Sequence, residues 1–536
     1  MAMDSYYSIA YLALFLPLVI VVYTLFPKKG RWAVLLGSSL IFFWCISGKL
    51  VIYLLASIVS IHYGGIWIAL LGTHKDERIR LAAETQGGPT KKELRKIYQK
   101  KQMAVTAGIA LFNVGLLLFL KYTPFFMGNI NRLLAALKIP AALEIPAMAV
   151  PIGISFYALQ AVSYIMDVYW GKIPAQGNIC RLALYMCFFP RLIEGPICRF
   201  KEMDEQLFNG ERIHFDNLVR GSQRIVFGMM KKLVVADRLN LFIKNVYENP
   251  GQYDGGVIAM GAVLYTCQLY MDFSGTMDIV LGTGEIFGIR LPENFRQPFF
   301  SKSISQFWQR WHITLGTWFK DYIFYPVSML RPMKKLTSFG RKHVGNYYGP
   351  LLSGGCALFC VWLCNGLWHG SGWNYIFFGM YHFALIFGAQ IFEPAAAKIC
   401  KVLHIPRKSV AWGAVRIVRT AALVCVGEMF FRAHGLKAGL GMFVNMVTNF
   451  TFASVKDGSL FQIGMDKKDF LIVAVAVLIV FINSILKEKS IDPREWLGKR
   501  GLPVRWGLCY GLILFVIIFG AYGVGYVPLD PIYAGF

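Results

Sequence analysis

Acidic residues are scarce in this 536-residue sequence: 30 Asp and Glu stand against 55 Lys and Arg, and charge of either sign makes up only 16% of a chain that is 56% hydrophobic. One soluble core of ordinary shape cannot bury so many apolar side chains, so a water-dispersed globule is excluded and lipid is the expected solvent. The longest polar segments, 73–102, 209–220 and 332–346, are too short for a core of their own, which leaves no soluble catalytic domain. No repeat of about 20 to 50 residues and no inverted pair of interrupted spans stands out, which weakens a repeat-built transporter. The eleven cysteines include no CxxC pair and no ligand-spaced histidine partners, so neither disulfides nor a metal site is expected. There is no GxSxG elbow and no Ser/His/Asp set, and Gly282, Gly284 and Gly288 have the wrong spacing for a phosphate loop. The opening run lacks both a basic residue ahead of its apolar stretch and a small-residue cleavage site after it, so it reads as a retained first helix.

What is present is a series of apolar stretches approaching or exceeding the roughly 18 to 20 residues that cross about 30 Å of hydrocarbon, among them 9–26, 50–71, 103–120 and 469–486. The sequence predicts an all-α polytopic membrane protein treated as one embedded domain over 1–536, with about 11 to 13 membrane helices. The net charge of +25 does not point to nucleic acid, because the Lys and Arg residues gather in loops between apolar spans. Segment 73–102 holds nine Lys or Arg against four acids, and 291–344, 398–419 and 487–505 are also basic. By the positive-inside rule these segments are cytoplasmic, and both termini fall outside. Glycine and proline punctuate VPIGISFYALQAVSY, FFPRLIEGPICRF, YMDFSGTMDIVLGTGEIFG and CNGLWHGSGWNYIFFGMYH. Broken or re-entrant helix at membrane depth is tolerated only around protein or a water-filled cavity, so these four breaks predict a central tunnel. Segment 290–327, aromatic and basic, suits helices lying at the membrane interface over its cytoplasmic mouth.

His369, in GLWHGSGWN, falls between apolar runs 351–364 and 373–392. An ionisable group kept there is costly, and imidazole suits proton transfer near neutral pH, so it is the first catalytic candidate; a histidine hydrogen-bonded for packing is the alternative. His312, in WQRWHITLGTW, is the second, with an interfacial anchoring role beside Gln309, Arg310 and Trp311 as its alternative. Asp272 and Asp278 flank Ser274 within YMDFSGTMDIV; carboxylates there read more readily as caps or partners of a basic residue than as catalysts. Cys356, Cys360 and Cys364 share a helical face, which reads as packing.

The runs PIGISFYALQAVSYIMDVYWG, FFPRLIEGPICRF, QLYMDFSGTMDIVLGTGEIFGIRLPENFRQPFFSKSISQFWQRWHITLGTWFKDYIFYP and NGLWHGSGWNYIFFGMYH resemble successive blocks of the bacterial membrane-bound O-acyltransferases, most of all the alginate O-acetyltransferase branch. The resemblance runs in order over about residues 15–392, and the ending PIYAGF is similar to that branch's aromatic C-terminus. Glu194 and Cys198 depart from it, and 394–466 has no matching block. The resemblance implies that His369 is the catalytic histidine and that His312 lies nearby on the cytoplasmic side of the same tunnel. It also implies an acyl group, acetyl foremost, taken from acyl-CoA in the cytoplasm and delivered outside to an SGNH-type partner for surface polysaccharide acylation in the bacterial cell membrane. Asn365 and Trp368 are candidates for positioning the thioester or its oxyanion, with Arg310, Trp311, Asp272 and Ser274 as further substrate-binding candidates. Acyl-CoA enters as donor substrate, and no resident cofactor is expected. The alternatives are D-alanyl transfer toward teichoic acids from an acyl carrier protein, and a non-catalytic transporter of an acyl or polysaccharide precursor.

Overall fold

The computed structural model describes residues 5–84, 89–522 and 526; the ending PIYAGF lies outside them. Helices and short connections account for the described residues, and the pairing of extended backbone among them is one isolated bridge between Phe295 and Trp311. Eight described stretches are long and apolar enough to cross a membrane: Lys28–Glu84, Lys91–Ala136, Gly255–Ile286, Arg331–His369, Trp373–Val402, Val410–Arg432, Lys467–Glu488 and Leu502–Phe519. The chain is therefore an all-α multi-pass membrane protein. Eight is fewer than the span count expected from the sequence. Lys28–Glu84 merges two helices, Arg31–Ser47 and Val51–Glu84, while Ala10–Leu25 and Ile154–Tyr169 are too short to count.

Two further expectations are corrected. Segment 73–102 is largely helical, because Val51–Glu84 runs on past its apolar part and Lys91–Ala136 begins well before its own. A capping box starts the second helix: the Glu93 amide donates to Thr90 Oγ1, and the Thr90 amide donates back to the Glu93 carboxylate at 2.8 Å. The glycines of YMDFSGTMDIVLGTGEIFG do not break their helix, which is continuous over Gly255–Ile286. They serve close packing instead. A Cβ on Gly275 would stand 2.8 Å from the Gly228 carbonyl oxygen, and one on Gly282 2.6 Å from that of Gly221, so the helix Phe215–Met229 approaches backbone to backbone.

The chain divides into two compact units, Met1–Val219 with Thr283–Leu291, and Arg220–Gly282 with Pro292–Phe536. In the first, Tyr6, Tyr11, Phe15, Phe42 and Phe189 form an aromatic cluster, and the non-helical run after the 3-10 turn Phe189–Arg191 is held by the Ile193 amide donating to Tyr6 Oη at 2.9 Å. In the second, a buried apolar cluster gathers Leu269, Phe307, Trp311, Trp362, Phe378 and Phe431, among others. Helix Phe215–Met229 passes through a π-turn, Met230–Ala236, into Asp237–Glu248. Its polar centre explains why hydropathy does not mark it as a span. Segment 290–327 folds into short helical pieces, including Ile304–Trp308 and Ile313–Phe319.

Candidate functional site

His369 is the last residue of Arg331–His369, a helical stretch that kinks at Gly345 with φ +88°, and it is 6% exposed. The chain turns at Gly370–Gly372 and re-enters helix at Trp373. A side chain on Gly370 would collide with the Tyr375 ring, so the turn after the histidine is small because the next helix folds back against it. Trp368, Phe378 and Phe431 wall the imidazole, with ring centroids at 5.0, 6.1 and 5.2 Å. Asn365, one turn earlier, is 6% exposed. The wall is tied in place by Asn374, whose Nδ2 donates to the carbonyls of Phe431 at 3.1 Å and Ala433 at 3.3 Å.

His312 comes to the same place from the short-helix segment. It stands at the N-terminus of Ile313–Phe319 with φ +47°, a left-handed conformation uncommon outside glycine that its surroundings enforce here. The enforcement is visible: the Arg296 amide donates to Arg310 O at 2.9 Å and the Ile313 amide to Asn294 O at 3.0 Å, pinning the turn from both sides. Asn294 Oδ1 also accepts from the Thr314 amide at 3.1 Å and lies 3.3 Å from His312 Nδ1. A backbone amide only donates, so that Asn294 atom is an acceptor and His312 Nδ1 must carry the hydrogen. In the neutral ring Nε2 is then the basic nitrogen. Burial first, and the charge of nearby His369 second, hold the His312 pKa well below the usual histidine value, so the ring is neutral. Its centroid is 5.6 Å from Trp368 and 4.8 Å from Phe273. His312, Trp368 and His369 thus form one contact chain of rings, with Asn365 beside it.

The other expected residues stand apart from that chain. Arg310 donates to Glu488 at 2.6 Å and to Gln297 O at 3.3 Å. Trp311 packs among Tyr270, Phe295 and Phe307. Asp272 pairs with the fully buried Lys232 at 2.8 Å, and Lys232 also meets Asp237 at 3.0 Å. Ser274 accepts from Lys231 at 3.3 Å; Lys231 is 2.6 Å from Asp278, which also binds Arg224 at 2.9 Å. Phe273, between Asp272 and Ser274, is the residue of that helix that reaches His312.

Several buried polar residues escaped the sequence reading. His382, fully buried, accepts from the Trp308 indole N–H at Nδ1 over 3.2 Å and packs against Trp362 and Phe378. Phe378 links it to His369. Glu428, Lys231 and Lys232 are similarly enclosed. The signal was available: each is an ionisable residue in an apolar setting, the criterion that selects His369.

An all-helical membrane protein with two buried histidines joined through a tryptophan is the class that fold and site define. The sequence profile of MBOAT, the membrane-bound O-acyltransferase family, matches residues 175–340. The probable alginate O-acetylase AlgI of Pseudomonas putida is 31% identical over 440 residues, 81% of this chain and 79% of the relative. The peptidoglycan O-acetyltransferase of Helicobacter pylori is 30% identical over 361 residues, 62% of this chain and 63% of its own. The teichoic acid D-alanyltransferase of Bacillus subtilis is 32% identical over 246 residues, 45% of this chain and 59% of its own. The chain belongs to the membrane-bound O-acyltransferase family and is an O-acyltransferase.

Proposed function

We propose that this enzyme moves an acyl group, acetyl foremost, from a cytoplasmic thioester across the bacterial cell membrane to an extracytoplasmic hydroxyl, as a step in O-acylating a cell-surface polysaccharide. The observation that carries the reading is the contact chain His312–Trp368–His369, buried in a membrane-embedded unit. Relatives named for alginate, peptidoglycan and teichoic acid modification support a surface polymer as the final destination. In the step we assign, His369 removes the proton of the acceptor hydroxyl as its oxygen attacks the thioester carbonyl. The new C–O bond forms, the C–S bond breaks, and the proton passes from His369 to the departing thiolate. Asn365 and Trp368 orient the thioester, and neutral His312, basic at Nε2, accepts a hydrogen bond from an amide N–H of the donor's arm. Acetyl-CoA is the donor and an SGNH-type protein outside relays the acyl group. The similarity to a D-alanyltransferase favours a second reading, with an acyl carrier protein as donor.

The test is turnover of radiolabelled acetyl-CoA by the protein in lipid nanodiscs, with and without the candidate partner. A folded His369→Ala protein is expected to lose about 10²-fold or more of label transfer and thioester hydrolysis. Equal activity in the two proteins overturns the assignment of His369. Activity with an acylated carrier protein and none with acetyl-CoA selects the second reading.

A further inference from the structure

The end of helix Val410–Arg432 carries buried polar groups that the step above does not use. Glu428 is 1% exposed, and its Oε2 has no hydrogen-bond partner among the described residues; Tyr247, 2% exposed, presents a hydroxyl that likewise has none. The two lie close together, since Arg432 follows Glu428 by one turn of the same helix and meets the Tyr247 ring, which stands 5.7 Å from that of Tyr265. Arg432, half-buried and one turn beyond Glu428, lies over the Tyr247 ring at 5.7 Å. Water or a ligand ordinarily satisfies such atoms, because an enclosed carboxyl oxygen and phenol left unmatched cost several kcal/mol.

Their location beside the histidine gives these two atoms a meaning. Phe431, three residues after Glu428, is the aromatic wall of His369 at 5.2 Å and also touches Tyr375 at 5.1 Å. Positions i and i+3 are neighbours on a helix surface, so Glu428 stands about one turn from the residue against the imidazole. The Asn374 bonds to Phe431 O and Ala433 O fix that turn, so the carboxyl is held at a set distance from the reacting centre.

We propose that Glu428 and Tyr247, with Arg432 at the rim, form the subsite that binds the acyl acceptor beside His369. The ligand class is a hydroxyl compound carrying a second polar group. One O–H donates to Glu428 Oε2, and the Tyr247 hydroxyl donates to a neighbouring oxygen, leaving a further hydroxyl to face His369. A serine or tyrosine side chain with its flanking amides and a sugar ring with vicinal hydroxyls share this chemistry. The inference rests on the acyl-transfer reading and specifies its acceptor side.

The experiment uses the full chain in nanodiscs with radiolabelled acetyl-CoA and three acceptor probes: N-acetylserinamide, N-acetyltyrosinamide and methyl β-D-mannopyranoside. Glu428→Gln and Tyr247→Phe are expected to raise the KM for the accepted probe about tenfold, as loss of one buried hydrogen bond would, while the acetyl-CoA KM moves less than about twofold. The preferred probe tells a peptide hydroxyl from a sugar. An unchanged acceptor KM in both variants, or a donor KM that rises in step, overturns the subsite while acyl transfer stands. If the native chain transfers no label from acetyl-CoA, the acetyl-CoA donor reading fails and the subsite is judged by occupancy. In Glu428→Cys, saturating probe should protect residue 428 from iodoacetamide, read by peptide mass. Alkylation unchanged by all three probes overturns it.

Discussion

At the scale of single residues, the site depends on which nitrogen of His312 holds a proton. The Thr314 amide fixes Asn294 Oδ1 as an acceptor, and that in turn fixes Nδ1 of His312 as a donor, so a backbone amide decides where the base lies. Burial of the neutral ring has a pH signature. The folded-state pKa is depressed by desolvation and by His369, whereas an unfolded histidine titrates at about 6.5. Below that value the unfolded chain takes up a proton that the folded chain refuses, so the contribution to stability is complete above about pH 6.5 and declines as the pH falls toward the folded pKa. Thermal unfolding in one detergent at matched scan rates should therefore show Tm falling between about pH 7 and about pH 5. His312→Gln should lose much of that slope. Equal slopes in the two proteins would mean that His312 is not held neutral.

At the scale of helices, His369 is positioned by an unusually close crossing of Arg331–His369 with Trp373–Val402. Gly366 and Gly379 face each other's helix: a Cβ on Gly366 would meet the Tyr375 carbonyl oxygen at 2.5 Å, and one on Gly379 would run into that of Trp362. Gly379→Ala must push the two backbones apart, an overpacking that costs about 1–3 kcal/mol, and must move Phe378 relative to His369. It is expected to lower both Tm and acyl transfer. Gly388→Ala, on the same helix with open space around its Cβ position, should change neither. If the two substitutions behave alike, the crossing does not position the histidine. The same scale sets the limit of what the sequence reveals. The all-α membrane class is legible because apolar runs of spanning length are local, and His369 and His312 are legible because an ionisable group among apolar residues stands out wherever it pairs. Pairings are another matter. Arg310 lies one residue from Trp311 and two from His312, yet its partner Glu488 is 178 positions away, so nothing nearby separates it from a substrate-binding arginine. The glycines of 275–284 read as breaks for a similar reason, since what they accommodate is a neighbouring helix.

At the scale of the whole chain, the helices of the second unit turn the distribution of charge into a claim about sidedness. Arg331–His369, Trp373–Val402, Val410–Arg432, Lys467–Glu488 and Leu502–Phe519 follow one another as candidate spans. If each crosses once, connections 403–409 and 489–501 lie on one side and 433–466 on the other. The first pair carries His404, Arg407 and Lys408, then Lys489, Arg494, Lys499 and Arg500, whereas the longer 433–466 holds only Lys437 and Lys456 as Lys or Arg. The alternation of helices and that of basic charge therefore agree, and short basic connections remain cytoplasmic. On this reading His369, which ends the helix that follows the Gly345 kink and the basic run 331–344, is expected toward the outer end of its span, where an extracytoplasmic acceptor would arrive. The expectation is tested by single cysteines at two exposed positions, Lys456→Cys and Lys489→Cys, treated in intact cells with a membrane-impermeant maleimide and read by peptide mass so that native cysteines do not interfere. Residue 456 should label in intact cells, and residue 489 only after permeabilisation. The reverse pattern would turn the unit over, put His369 near the cytoplasmic end of its helix, and require the acceptor to enter from the side assigned here to the thioester.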